Sequence, residues 1–382
     1  GKGGTTSAPY SSGENNVAVG YQAFDAFTSA TKCVVIGVQA GSAITTGNQN
    51  TVMGYQAGLA LNTGQDNVLV GTYAGYQLTD GTKNVLIGSS AGENLSTNTN
   101  FNVMVGYQAG EHADGASTPA TNNVYIGYQS GRYVDDGQSN VAVGYLSLYS
   151  NSAEGNDASQ NVAIGRESLK ALTDGDNNVA VGHESLQALT NSTYNVGLGK
   201  STLKYLTTGQ SNIAIGYNAD ALNQIGNNNV AIGHESMLGA SGQSHNSNTA
   251  VGYNSLKSIT TATGNTAIGY NAGDTITTSG YNALVGYEVG QALAGGSGQN
   301  VAIGYQPLYN GTSNTRVIAI GSRAGYNSTA DSNIYIGYSA GRESRAGVSQ
   351  VYIGNQAGYY ATGSYNTFVG DDAGKGATTS AP

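Results

Sequence analysis

Two short strings bring together the residue types of a serine hydrolase, His183-Glu184-Ser185 and His234-Glu235-Ser236. A catalytic triad requires three side chains that converge on one point. Neighbouring residues of an extended segment point to opposite sides, so three consecutive residues do not converge. Both strings stand where related segments read Tyr-Gln-Ala or Tyr-Asn-Ser. Sequence variation among related segments explains both strings. We predict that the chain is not an enzyme.

The other residues that could form a catalytic, metal or phosphate site also lack part of the required pattern. The pairs Asp135-Asp136 and Asp371-Asp372 lie in or near turns, and nothing presents an opposed acid and base as in a glycosidase. The segment around Asp174 lacks EF-hand spacing, and the four His are too scattered for a metal site. GKGGTT at Gly1 and GKGATT at Gly374 depart from a phosphate loop. We therefore expect no catalytic residue, cofactor or metal, and a tailspike-like glycan hydrolase is the least favoured function.

Composition excludes several partner classes. The chain of 382 residues has 58 Gly and 27 Tyr, only 10% charged residues and a net charge of −9. Recurrent Val, Ile and Tyr indicate an ordered chain rather than a disordered one. Because 14 Lys and Arg form no cluster, we expect no nucleic acid partner. No apolar run approaches the roughly 20 residues of a membrane-spanning helix, so we expect no membrane insertion. Cys33 is the only cysteine, which says little about the compartment.

An internal repeat organises the whole chain. An aliphatic-Gly pair recurs 21 times between Gly20 and Gly370, most often every 17 residues, with the consensus N-V-A-I-G-Y-Q-A-G-x-x-L-T-T-G-x-x. Seventeen residues hold two or three short strands and turns, and one such coil buries almost nothing, so stacking must supply the core. The repeat predicts an all-β parallel β-solenoid of about 21 coils, forming one continuous domain over 1–382. Extra residues after Gly106 and Gly144 are expected to form loops on one side.

We number each coil from the first Val of the consensus. Position 3 is Val, Ile, Leu or Met in all 21 coils, and position 1 is Val or Ile in most, with Thr or Ala in the rest. Both positions share one side of an extended segment, so that side is predicted to be buried. Position 2 points the other way and is apolar too, as in Ala163, Ala180 and Leu69. A second apolar side suggests a cover. We expect it to be another chain packed against the small alanines.

The residue before each strand, position 0, is Asn in 18 of 21 coils; Cys33, Val317 and Gln350 are the exceptions. Stacked amides hydrogen-bond along the axis of a β stack, so we predict a structural asparagine ladder rather than a ligand site. The predicted members are Asn16, Asn50, Asn67, Asn84, Asn102, Asn123, Asn140, Asn161, Asn178, Asn195, Asn212 and Asn229.

Position 5 is Tyr in 11 of 21 coils. One interpretation is an exposed tyrosine stripe that contacts carbohydrate or protein, and the other, which we favour, is packing between turns. The predicted stripe comprises Tyr55, Tyr107, Tyr128, Tyr145, Tyr217, Tyr253, Tyr270 and Tyr287.

The two ends repeat each other, GKGGTTSAP at 1–9 and GKGATTSAP at 374–382. Neither end has the polar cap that a solenoid normally needs. This pattern suggests a segment of a longer fibre or a subunit that stacks end to end.

The motif in NVAIGRES from Asn161 and NTAIGYNAG from Asn265 resembles the head repeats of YadA-like trimeric autotransporter adhesins. The longer Tyr-Gln-Ala-Gly and Leu-Thr-Thr-Gly form is similar to repeats of bacteriophage tail fibres. The resemblance covers nearly the whole chain and implies a left-handed β-roll in a homotrimer, located outside the cell or on a virion. The family's coils are nearer 14 residues, and its stalk and anchor are absent from this sequence.

Two functions follow as hypotheses. The first is a fibrous, homotrimeric attachment protein at a cell or virion surface, whose many weak contacts with a host glycan or protein act together. The second is a purely structural filament or sheath subunit that stacks end to end.

Overall fold

The computed structural model describes residues 11–113, 119–150, 156–295, 298–312 and 314–376. Within these ranges every regular element is a β-strand, and none is a helix. The chain divides into two compact units, Gly1–Asn195 and Val196–Pro382. The near-repeat at the two ends lies outside the described residues, except for Gly374, Lys375 and Gly376.

Unit 1 contains ten strands, one for each coil. They are β1 (Val17–Val19), β2 (Val34–Ile36), β3 (Thr51–Met53), β4 (Val68–Val70), β5 (Val85–Ile87), β6 (Val103–Val105), β7 (Val124–Ile126), β8 (Val141–Val143), β9 (Val162–Ile164) and β10 (Val179–Val181). Coils are numbered by their strands from here on.

Unit 2 contains eleven strands. They are β11 (Val196–Leu198), β12 (Ile213–Ile215), β13 (Val230–Ile232), β14 (Thr249–Val251), β15 (Thr266–Ile268), β16 (Ala283–Tyr287), β17 (Val301–Tyr305), β18 (Ile318–Ile320), β19 (Ile334–Ile336), β20 (Val351–Ile353) and β21 (Thr367–Val369).

Within each unit, every strand pairs in parallel with the strand of the next coil. Position 1 lies opposite position 1, as in Val68 and Val85 or Ile213 and Val230. Coils with insertions keep this register, since Val103 still lies opposite Val124 across a 21-residue interval. The predicted parallel β-solenoid of about 17 residues a turn is therefore confirmed.

The predicted orientation of the strands is wrong. Position 2 points into the coil, and Val52, Leu69 and Ala163 are fully buried, whereas positions 1 and 3 lie on the outer surface. Each strand has only three residues in most coils, and the interior behind it also holds the apolar side chains of positions 7 and 11, such as Ala57 and Leu61. One central side chain fits there, but two β-branched side chains do not. From coil 8 onward the alanines of position 2, such as Ala142, Ala163 and Ala180, are fully buried core residues rather than a surface for another chain.

The turn that follows each strand requires glycine at position 4. Gly144 has a φ of 140°, and a Cβ there would lie 2.6 Å from the carbonyl oxygen of Gly165 in the next coil. Any larger residue would separate adjacent coils. The aliphatic-Gly pair of the repeat is thus a point at which successive backbones approach too closely for a side chain.

Positions 2 and 8 share the space at the centre of each coil. Every coil with a residue larger than alanine at position 2 has Gly at position 8, as in Tyr125 with Gly131. Most coils with Ala or Gly at position 2 have a large residue at position 8, as in Ala163 with Leu169. Position 8 lies in the left-handed region, with φ 61° at Gly131 and 47° at Leu169. A Cβ on Gly131 would lie 2.5 Å from the Tyr125 ring, so the coil has room for one large side chain at these two positions.

Coils 15 and 18 have no large side chain at position 2 or position 8, because they combine Ala267 with Gly273 and Ala319 with Gly325. Neighbouring coils supply the missing volume. The site of a Cβ on Gly273 lies 2.8 Å from the Leu284 side chain, and the site on Gly325 lies 2.6 Å from the Tyr335 ring. The core is therefore filled along the stack as well as within each coil.

Candidate interaction surface

The asparagines of position 0 form a continuous row inside each unit. The Asn67 backbone and Nδ2 both donate to the Asn50 Oδ1, over 3.0 and 3.1 Å, and its Nδ2 also donates to the Gly81 carbonyl over 2.8 Å. Asn178 makes the same three contacts with Asn161 and Ser192. The asparagines predicted for this row are buried, apart from the half-buried Asn16 in coil 1.

In the coils that lack asparagine at position 0, the backbone amide of that position still donates to the asparagine side chain of the preceding coil. The amides of Cys33, Val317 and Gln350 donate to the side chains of Asn16, Asn300 and Asn333 over 2.9 Å each. Burial raises the pKa of the Cys33 thiol, so this cysteine is an inert part of the core. The row joins strands to turns from within, and its buried amides bond to other groups of the chain.

The outer side of the strands is an exposed apolar face, which we define as positions 1 and 3 of every coil. No coil has a charged residue at either position. Ile87, Ile126 and Ile164 in unit 1 are 38%, 39% and 39% exposed, and Ile268 and Ile303 in unit 2 are each 40% exposed. Position 3 is Val, Ile, Leu or Met in every coil, whereas position 1 is Thr in four of them. Isolated apolar residues are common on protein surfaces, but large contiguous apolar patches mark interaction sites.

Position 5 adds aromatic rings to the same side. Strands β16 and β17 extend to Tyr287 and Tyr305, with positions 1, 3 and 5 outward and position 2 buried. The predicted residues Tyr107, Tyr128 and Tyr145 form one stacked column in unit 1, with ring centroids 5.4 and 5.2 Å apart.

A longer column in unit 2 contains the predicted Tyr217, Tyr253, Tyr270 and Tyr287, and also His234 and Tyr305. Successive ring centroids are 5.1 to 5.3 Å apart. The predicted Tyr55 stands apart from both columns and meets Tyr73 edge to face at 5.6 Å. In a column each ring face is opposed by the next ring, so edges and hydroxyl groups face outward.

This geometry affects the carbohydrate interpretation of the stripe. Saccharides pack on aromatic faces, and in these columns most ring faces are engaged by other rings or by cations. Arg166 lies over Tyr145 at 5.7 Å, Lys200 over Tyr217 at 5.8 Å and Arg323 over Tyr305 at 5.9 Å. Both interactions stabilise the columns themselves. The columns consequently favour packing between turns over a platform for sugar rings.

The exposed area is large. At roughly 200 Å² for a tyrosine side chain, Tyr253, Tyr270, Tyr287 and Tyr305, which are 43% to 45% exposed, together leave about 350 Å² uncovered. The aliphatic rows add to this area in every coil. The largest apolar patch of a typical monomer is about 300–600 Å². The four tyrosines of unit 2 reach this range before the aliphatic side chains of positions 1 and 3 are counted.

The hydrolase-like strings do not form a catalytic arrangement. His234 lies between the rings of Tyr217 and Tyr253, while Ser236 is buried and donates to the Ala250 carbonyl over 3.0 Å. In the other string, Ser185 is also buried, whereas His183 is partly exposed beside Glu184, with 3.7 Å between Nδ1 and Oε2. Serine and histidine thus lie on opposite sides of the backbone.

The acidic segments show no metal centre. Burial and the nearby carboxylates of Asp136, Asp174 and Asp176 raise the pKa of Asp157. Across the residues that the structure describes, no group of three or more His, Cys, Asp or Glu side chains is arranged to hold a metal ion. In the same residues, no helix is long and apolar enough to cross a membrane.

One buried polar cluster was missed from the sequence. Asp220, Asn223 and His245 lie inside coils 12 and 13 of unit 2, each at most 1% exposed. The signal was available, since Asp220 is the only charged residue at position 8 in any coil. The partner of this side chain lies 25 residues away, a distance that the repeat consensus does not indicate.

Comparison with known proteins identifies no relative. No protein-family model, no curated protein and no solved structure matches the chain.

Proposed function

We propose that the chain is the repeat region of a fibrous attachment protein, located outside the cell or on a virion, in which identical chains associate as a homotrimer. The observation that carries the proposal is the exposed apolar face, with its uncharged positions 1 and 3 in every coil. An apolar strip of this length is unfavourable in water, and a partner chain would cover it.

The occupant that best fits this face is a second copy of the chain. Its rows repeat once per strand spacing, about 4.8 Å, and only a partner with the same axial period meets every coil in the same way. Another copy of the chain has that period. Closed symmetric assemblies are the common form of self-association. The resemblance to trimeric adhesin heads selects a threefold arrangement among them.

Association would produce a stiff rod that carries many identical surfaces. The polar turns remain outward, and each can make a weak contact with a surface glycan or protein. Multivalent display then raises the overall affinity without any single strong site.

The mass of the assembly in solution tests the trimer. Sedimentation equilibrium should give three times the 38.7 kDa of one chain. Ile87→Glu combined with Ile126→Glu places two charges on the apolar face and should produce monomers. Thr63→Glu, on an exposed turn, is the matched control and should leave the mass unchanged. A monomeric parent chain at all concentrations would refute the association.

Attachment requires a separate measurement. Parent and Ile87→Glu/Ile126→Glu proteins should be applied to an array of bacterial and animal surface glycans. Because binding depends on multivalency, the monomeric variant should bind at least tenfold more weakly. An array without bound protein, together with mass that grows without limit as concentration rises, would instead indicate the structural filament.

A further inference from the structure

A solenoid of similar coils faces a problem of register. Within unit 2, position 1 of each strand pairs with position 1 of the next, and the strands all carry similar aliphatic residues. A slip by one whole coil would keep the apolar rows aligned and the backbone paired. Hydrophobic pattern alone therefore specifies the coil-to-coil register weakly.

The buried cluster in coils 12 and 13 is unlike the rest of the core. Asp220 occupies position 8, where every other coil has Gly, Leu, Met or Phe. Asn223 occupies position 11, where the neighbouring coils 11 and 14 have Leu206 and Ile259. His245 takes the place that Gly209 and Ala262 hold in those coils. Three departures from the consensus thus occur together in two adjacent coils.

These three side chains bond to one another. His245 Nε2 lies 2.8 Å from Asp220 Oδ1, and Asn223 Nδ2 donates to Asp220 Oδ2 over 3.2 Å. The Asn223 Oδ1 accepts from the Gly226 amide over 2.9 Å. The carboxylate therefore has a partner at each oxygen, and the contact between Asp220 and His245 joins coil 12 to coil 13.

Catalysis does not explain the cluster. A His-Asp contact orients imidazole in hydrolases, but here both side chains are 1% exposed, so substrate has no access. The second ring nitrogen of His245, Nδ1, has no hydrogen-bond partner in the described residues. The imidazole is therefore not hydrogen-bonded to a nucleophilic side chain there.

Stability does not explain it either. Replacing a buried ion pair by well-packed apolar residues is often neutral or stabilising, whereas removing one partner is strongly destabilising. Buried polar groups are better attested as devices that specify register. The cluster has this property, because Asp220 finds an imidazole only in coil 13. If coil 12 paired with coil 14 instead, Asp220 would face the place of Ala262, and its carboxylate would be buried without a partner.

We propose that Asp220, Asn223 and His245 form a register lock, which allows coil 12 to stack only on coil 13. The lock restricts the one-coil slips that similar repeats otherwise permit. The lock increases the fraction of molecules that fold in the correct register, rather than the stability of the native stack.

A disulfide probe tests the lock. Ile215, Ile232 and Val251 hold position 3 of coils 12, 13 and 14. Residues two coils apart are roughly 10 Å distant, beyond the ~7 Å limit for a disulfide. In a Cys33→Ala background, Ile215→Cys/Val251→Cys should form an intrachain disulfide only in molecules that have looped out coil 13. Single chains are separated from interchain cross-linked species by non-reducing electrophoresis before the disulfide is scored.

The probe is refolded from denaturant, oxidised and analysed by mass spectrometry of non-reduced peptides. With the lock intact, the 215–251 disulfide should be scarce. With Asp220→Leu, Asn223→Leu and His245→Gly, which restore residue types of other coils, it should increase several-fold. Equal yields with and without the lock would overturn the proposal.

Three controls separate slipping from unfolding. Ile215→Cys/Ile232→Cys should cross-link with or without the lock, which shows that coil 12 folds in both. Ser279→Gly, a consensus change outside the cluster, should leave the 215–251 yield at its parent level. His245→Gly alone should lower the midpoint of urea unfolding, and an unchanged midpoint would contradict the coupling of Asp220 to His245.

Discussion

Coils 3 to 7 and coils 8 to 10 of unit 1 fill the same interior in two different ways. In the first region the strand supplies the large residue, from Val52 to Tyr125, and Gly occupies position 8. In the second, the strand contributes Ala, and Leu148, Leu169 and Leu186 enter from the turn. The backbone is the same in both, because position 8 is left-handed throughout.

The difference shows what the coil conserves. It is the filled volume, rather than the identity of the residue at either position. Leucine in the left-handed region costs roughly 1–2 kcal/mol, and burial of its side chain offsets this by about 1.5–3 kcal/mol. The second arrangement is therefore sustainable only when position 2 is small enough to leave the space free.

The largest expected effect comes from forcing both arrangements into one coil. Gly131→Leu adds a side chain against the Tyr125 ring at a φ of 61°. Overpacking and backbone strain together should lower the free energy of unfolding by about 2–5 kcal/mol, measured by urea denaturation. Tyr125→Ala/Gly131→Leu converts coil 7 to the second arrangement and should recover most of the loss. Additive losses in the double variant would contradict the shared space.

The reverse experiment empties the second arrangement. Leu169 is fully buried, so Leu169→Ala should cost about 3 kcal/mol through the cavity that it leaves. Ala163→Leu/Leu169→Gly transfers the side chain to the strand and should restore at least half of that stability. Urea denaturation again measures the stability. A double variant less stable than Leu169→Ala would contradict the exchange of the large side chain between positions 2 and 8.

A smaller effect should be the same in both regions, because the asparagine row does not depend on which arrangement fills the core. Asn67 and Asn178 make matching hydrogen bonds. Replacing either by Ala leaves buried backbone groups without partners and should cost about 2 kcal/mol. Hydrogen exchange of the two adjacent coils should show equal loss of protection. A marked inequality would mean that the core arrangement also supports the row.

The smallest effect at neutral pH concerns tyrosines at position 2. Burial raises the pKa of Tyr352 to about 12, above the ordinary value of about 10. The folded state holds this proton more tightly than the unfolded state. The corresponding stability is therefore complete below pH 10 and is lost as the pH rises toward 12.

Tyr352→Phe should consequently change stability little at pH 7 and reduce the loss of stability between pH 10 and 12, followed by circular dichroism. Tyr365→Phe, at a position that is 80% exposed, is the control and should leave the alkaline transition in place. Identical alkaline transitions in the parent and Tyr352→Phe proteins would contradict the role of the buried phenol.

Much of the fold follows from the sequence alone. The period, the strand at Val68–Val70 and the parallel stacking were predictable, because glycine, β-branched residues and asparagine each have local requirements that recur in every coil. The tyrosine positions were predictable in the same way. Their stacking into columns, with His234 as a member, depends on the distance between coils.

Tertiary structure alone decided which side of the strand is inside. Alternation separates Leu69 from Val68 and Val70 but assigns neither side to the core, because both are apolar. The narrow interior of the coil makes that assignment, since it admits one central side chain. The exchange between positions 2 and 8 and the contact of Asp220 with His245 arise from the same close packing, which brings together residues that local sequence does not relate.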